Sequence, residues 1–81
     1  MQKISDLGLV TALVTLGSSI RETETDDKGR VSFLFDNTEE IKDISERYFN
    51  KNLMVDANTY FYAIKSIKNT LYQIKDGKQE W

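Results

Sequence analysis

The chain has 81 residues, enough for one domain with a modest core. It contains no histidine, cysteine or proline, which removes the commonest general base, the commonest metal ligand and the thiol nucleophile together. A composition that is 40% hydrophobic and 30% charged argues for a folded chain, and a net charge of −2 points away from a general nucleic-acid or membrane-surface binder.

Residues 1–4 are short and mixed, long enough for one extra strand. Ser5 is read as the N-cap of a first helix, with Asp6 placing negative charge at the positive end of its dipole. The helix runs through Leu7, Leu9, Val10, Leu13, Val14 and Leu16 and stops at Gly17. Apolar residues cover most of its circumference, leaving a strip of small ones at Gly8, Thr11, Ala12 and Thr15. Such a helix demands burial nearly all round, and a second copy in a symmetric homodimer is the expected source of part of that cover. The run is too short to span a bilayer, which takes about 20 residues, and has no basic flank of a signal peptide, so no membrane role is expected.

A hairpin follows. Its first strand is read over Ser19–Thr25, its turn over Asp26-Asp27-Lys28-Gly29, and its second strand over Arg30–Phe35. Val31, Phe33 and Phe35 share one face at period two and are expected in the core. If Ile20 points inward, Glu22 must escape by a bulge, a twist or the strand's edge. Asn37 is the expected cap of a second helix, with Glu40 completing a capping box. Ile41, Ile44 and Tyr48, extended by Phe49, form its apolar stripe. Leu53-Met54-Val55 is a short extended link, and Asp56 caps a third helix of about 18 residues. Tyr60, Ile64, Ile67, Leu71 and Ile74 repeat there at alternating spacings of four and three. Asp76-Gly77 ends it, so residues 1–76 form a single domain and 77–81 a polar tail tipped by Trp81. The fold class is α+β: a small antiparallel hairpin or sheet packed against three helices, in the order α-β-β-α-α, with the additional strand available at the N-terminus.

Two surfaces stand out. The first half of the chain, residues 1–50, carries ten acidic and six basic side chains. Glu22, Glu24, Asp26 and Asp27 on the hairpin, with Glu39 and Glu40 on the next helix, offer an acidic partner-binding surface. Carboxylates on alternate strand residues, about 6.7 Å apart, could enter a protein groove built for phosphates. The plainer reading is that edge strands carry charge against aggregation and helix starts favour acids. The second surface lies on the third helix, where Phe61, Lys65, Lys68, Tyr72 and Lys75 recur at helical spacing with no acid between Ala57 and Ile74. Rings interleaved with lysines can stack bases and meet phosphates. The competing reading is that Phe61 and Tyr72 simply widen the core stripe.

Three groups of residues carry a family resemblance: Ser5-Asp6-Leu7-Gly8-Leu9 closing with Leu16-Gly17; Arg30-Val31 with Phe33-Leu34-Phe35; and Tyr48-Phe49, Val55-Asp56-Ala57 and Tyr60-Phe61. They resemble a family of small uncharacterised domains found in Gram-positive bacteria, their phages and mobile elements, over residues 4–72. These positions are caps, turns and core, so the resemblance speaks to fold. It implies a genetic setting in which small proteins often bind and redirect a larger host protein.

The expected function is therefore a non-enzymatic protein-binding module, an inhibitor or modulator of a host DNA-processing or defence protein working through the acidic surface. The alternative is a small nucleic-acid-binding regulator using the Lys/Tyr face of the third helix. No serine has a neighbouring base, the four glycines are isolated, and the hairpin lacks EF-hand spacing, so no catalytic residue, cofactor or metal ligand is assigned. The absence of cysteine suits a cytoplasmic location.

Overall fold

The computed structural model describes residues 1–76. It contains strand β1 (Gln2–Ile4), helix α1 (Leu7–Thr15), strands β2 (Glu22–Thr25) and β3 (Val31–Phe35), and helices α2 (Glu39–Phe49) and α3 (Ala57–Asp76). The expected α+β class holds, with the N-terminal strand present. The tail expected at 77–81, with Trp81, lies outside the described residues.

The strands form one antiparallel sheet in the order β1-β3-β2. The register pairs Ile4 with Phe33, and Thr25 with Val31. Side chains alternate along each strand, so the sheet has two unlike sides. Ile4, Val31, Phe33 and Phe35 point to the helices and are buried; Lys3, Ser32, Leu34, Glu22 and Glu24 share the open side. The helix side meets Leu9, Val10, Leu13, Ile41, Ile44 and Ile67 in a single core.

Helix α1 is enclosed within the chain. Leu9, Val10, Thr11, Ala12 and Leu13 are all buried, and α1 packs closely on α3 and more lightly on α2. Gly8 of the small strip lies against Tyr48 of α2. Much of the cover expected from a second copy is thus supplied internally, with Leu16 left exposed.

Several boundaries move. The cap of α1 is Asp6, not Ser5: Leu9 N–H donates to Asp6 Oδ1 at 3.0 Å, while the Ser5 hydroxyl pairs with that of Ser32 at 2.9 Å. The cap of α2 is Thr38, not Asn37, its Oγ1 accepting from Ile41 N–H at 3.2 Å. In both places two good capping residues are adjacent, and the one followed by the first fully helical residue wins. Asp56 caps α3 as expected, its carboxylate accepting from both the backbone and the hydroxyl of Thr59.

The first hairpin strand is shorter than Ser19–Thr25, and Ile20 lies outside it, packed at the edge of the core. Arg21 N–H reaches the Leu34 carbonyl at 2.7 Å although Glu22 is the residue aligned with Leu34. Two residues thus oppose one, as at a β-bulge, and Glu22 turns to the open side. The second strand begins at Val31 and not at Arg30. Phe49 leaves the α2 stripe and is 62% exposed; α3 has 20 residues, and its Ile64 and Leu71 are only partly buried.

Candidate functional site

The six acids assigned to one surface occupy separate places. Glu22 and Glu24 stand on the open side of β2, where Glu24 pairs with Lys3 at 3.1 Å. Asp26 closes the hairpin, its Oδ1 accepting from the backbone N–H of Lys28 and of Arg30, each at 2.9 Å. The Arg30 amide, foremost, holds the Asp26 carboxyl below the usual carboxylate range. Asp27 is exposed in the turn. Glu24 and Asp26 line a depression of about 350 Å³ with the cations Lys3 and Arg30. Glu39 and Glu40 begin α2; Glu39 approaches Lys42 loosely at 3.9 Å. Glu40 lines a different groove, of about 450 Å³, with Leu16, Asp43, Arg47 and Met54. The acids therefore divide between the hairpin and α2, and cations intersperse them. Among the described residues, no three carboxylates converge as a metal-binding group.

The α3 residues do come together. At 3.6 residues per turn, Phe61, Lys65, Lys68, Tyr72 and Lys75 fall within one arc of about 80° that flanks the buried stripe. Phe61 and Tyr72 are 54% and 61% exposed, so neither ring widens the core. All three lysines are exposed. The Lys65 ammonium sits 4.8 Å from the centre of the Phe61 ring, a cation–π contact. Asp56 keeps the start of the helix fixed, and its carboxyl is held below its ordinary range chiefly by the Thr59 amide.

Features absent from the sequence reading border these sites. Tyr62 is exposed and meets Phe61 edge-on, with ring centres 5.8 Å apart. Its place on the helical wheel, opposite the buried stripe, was the available signal. Met54 is 87% exposed beside Leu16, which the linear order hides because the two are far apart in the chain.

A second polar assembly joins α1 and α2. Tyr48 Oη donates to Asp6 Oδ1 at 2.9 Å, the oxygen that also caps α1. Burial, then Asp6, pushes the Tyr48 phenol above its ordinary range. At the other end of the sheet, Arg21 donates from Nε and Nη2 to Asp36 Oδ2, at 3.1 and 2.8 Å, which keeps the Asp36 carboxyl below its usual range. Both assemblies hold elements together.

No helix among the described residues is long and apolar enough to cross a membrane. No curated protein and no solved structure matches the chain. A family model described as "Domain of unknown function (DUF5659)" matches residues 1–73. The match runs from β1 into the last turns of α3, and the resemblance to a family of small uncharacterised domains agrees with it: the chain belongs to the DUF5659 domain family.

Proposed function

We propose that this domain is a non-enzymatic binding module whose α3 face takes single-stranded nucleic acid. One observation carries the reading: two exposed rings, Phe61 and Tyr72, alternate with Lys65, Lys68 and Lys75 along one arc of a single continuous helix. The stretch from Phe61 to Lys75 rises about 21 Å at 1.5 Å per residue. At 3.4 Å per nucleotide, that length faces about six phosphates. Rings of this kind stack bases without regard to sequence, and the lysines follow the backbone. The acidic surface expected from the sequence has less support as a single six-residue site, because its carboxylates are divided between the hairpin and α2 and share their surroundings with Lys3, Arg30, Lys42 and Arg47. A setting in phages or mobile elements, where displaced single strands are common, fits this reading.

Fluorescence anisotropy with a labelled twelve-nucleotide single strand, and with a duplex of the same length, tests it. The single strand should bind more tightly, and log K should fall with log salt at a slope of about −2 if three lysines engage. Phe61→Ala and Tyr72→Ala should each weaken binding by about 1–3 kcal/mol, the usual worth of one stacked base. No binding at low salt, or binding indifferent to both variants, would refute the proposal.

A further inference from the structure

We infer that the free edge of β2 is a docking site for an extended, basic protein segment that adds a fourth strand to the sheet. The edge is open: β2 pairs only with β3, and all of Glu22–Thr25 is exposed. The backbone shows which groups are available. Asp26 N–H bonds the Arg30 carbonyl at 3.0 Å, so Asp26 faces β3. Antiparallel bonding alternates, so Glu22 and Glu24 also direct their peptide groups to β3, while Thr23 and Thr25 direct theirs outward. Two N–H and two C=O groups therefore line the open edge.

Charge selects the occupant. Glu22 has no ion-pair partner among the described residues, and Glu24 has only the exposed Lys3. An exposed pair of this kind is weak, so an incoming cation can share Glu24. Self-pairing is disfavoured. A two-fold axis at Thr23 sets Glu22 against Glu24; one at Glu24 sets it against itself; one at Thr25 sets Glu24 against Asp26. Like charges directly opposite destabilise a strand pair. The complementary occupant has Lys or Arg at every second position, about 6.7 Å apart, with Thr or Val between. This surface is separate from the α3 face, and the inference does not depend on that reading.

The test is amide exchange followed by NMR, titrating the chain with a blocked octapeptide of alternating lysine and threonine. Millimolar peptide should slow exchange at Thr23 and Thr25, and an octapeptide of alternating glutamate and threonine should not. The variant E22K/E24K should reverse this preference. Thr23→Pro removes an outward N–H and leaves the β2–β3 bonds intact, so it should weaken binding about tenfold, the worth of one hydrogen bond. If Thr23→Pro does not fold, the charge reversal decides. Phe61→Ala should leave peptide binding unchanged. The inference fails if no peptide binds, if the protected amides lie on α2 or α3, or if E22K/E24K keeps its taste for lysine.

Discussion

At the residue scale, two positions expose a conflict between local and tertiary demands. Lys51 has φ +64°, a left-handed conformation that costs an L residue about 1–2 kcal/mol. It holds this conformation because it closes α2 in a Schellman motif: Lys51 N–H bonds the Tyr48 carbonyl and Asn52 N–H bonds that of Arg47. Gly17 does the same for α1, with Ser18 N–H on the Leu13 carbonyl. Lys51→Gly should therefore raise stability by about 0.5–1 kcal/mol, measured by denaturant unfolding, after glycine's greater chain entropy is deducted. Gly8 is the converse case. A methyl group there would strike the Tyr48 hydroxyl that binds Asp6. Gly8→Ala gains about 1 kcal/mol in helix propensity but displaces a charge-assisted hydrogen bond worth about 1.5–3 kcal/mol, so it should destabilise. In a Tyr48→Phe background the loss should shrink, and a double-mutant cycle reads the difference.

At the element scale, legibility tracked how strictly a pattern fixes orientation. Val31, Phe33 and Phe35 recur at period two, with the apolar Leu34 between the two rings, and all three are buried. Phe33→Ala should cost about 3–5 kcal/mol, whereas Leu34→Ala, on the open side of the same strand, should cost far less. Ile67 marks the centre of the α3 stripe, while Ile64 and Leu71 lie towards its margins and are only partly covered. Caps were legible to within one residue, because Ser5-Asp6 and Asn37-Thr38 each offer two competent oxygens in succession. The acids were the least legible. Glu24 and Glu40 belong to the same acidic run in sequence, yet they line different depressions, since chain order does not say which side of a sheet the next helix packs on. The spacing of Phe61, Lys65, Lys68, Tyr72 and Lys75 was legible, since one uninterrupted helix converts spacing directly into position, whereas the exposure of the two rings and the neighbouring Tyr62 needed the structure.

At the scale of the whole molecule, burial and charge are arranged independently. The core lies on one side of the sheet and encloses α1, so this chain has no need of a second copy to cover it; light scattering should give a mass near 9.4 kDa. The carboxyls with lowered pKa, and Tyr48, stand at or near the ends of elements, and there they set the pH range of stability. Asp26, Asp36 and Asp56 have carboxyl pKa values below their ordinary ones, held down first by the Arg30 amide, the Arg21 side chain and the Thr59 amide respectively. A depressed carboxyl pKa means that the unfolded chain binds more protons at low pH. The stability from these groups is present above the usual value, about 3.9, and is lost as pH falls below it through the folded values. Tyr48 has the opposite sign. Burial, then Asp6, raises its pKa, so the folded chain holds the proton longer, and stability is lost as pH rises above the ordinary tyrosine value of about 10. With no histidine or cysteine in the chain, no side chain ordinarily titrates between these limits. The melting temperature should therefore stay level from about pH 5 to pH 9 and fall on both sides. Tyr48→Phe should flatten the alkaline fall alone, and Asp36→Asn the acid fall alone. A melting temperature that climbs or drops across neutral pH would contradict this assignment of the stability limits to Asp26, Asp36, Asp56 and Tyr48.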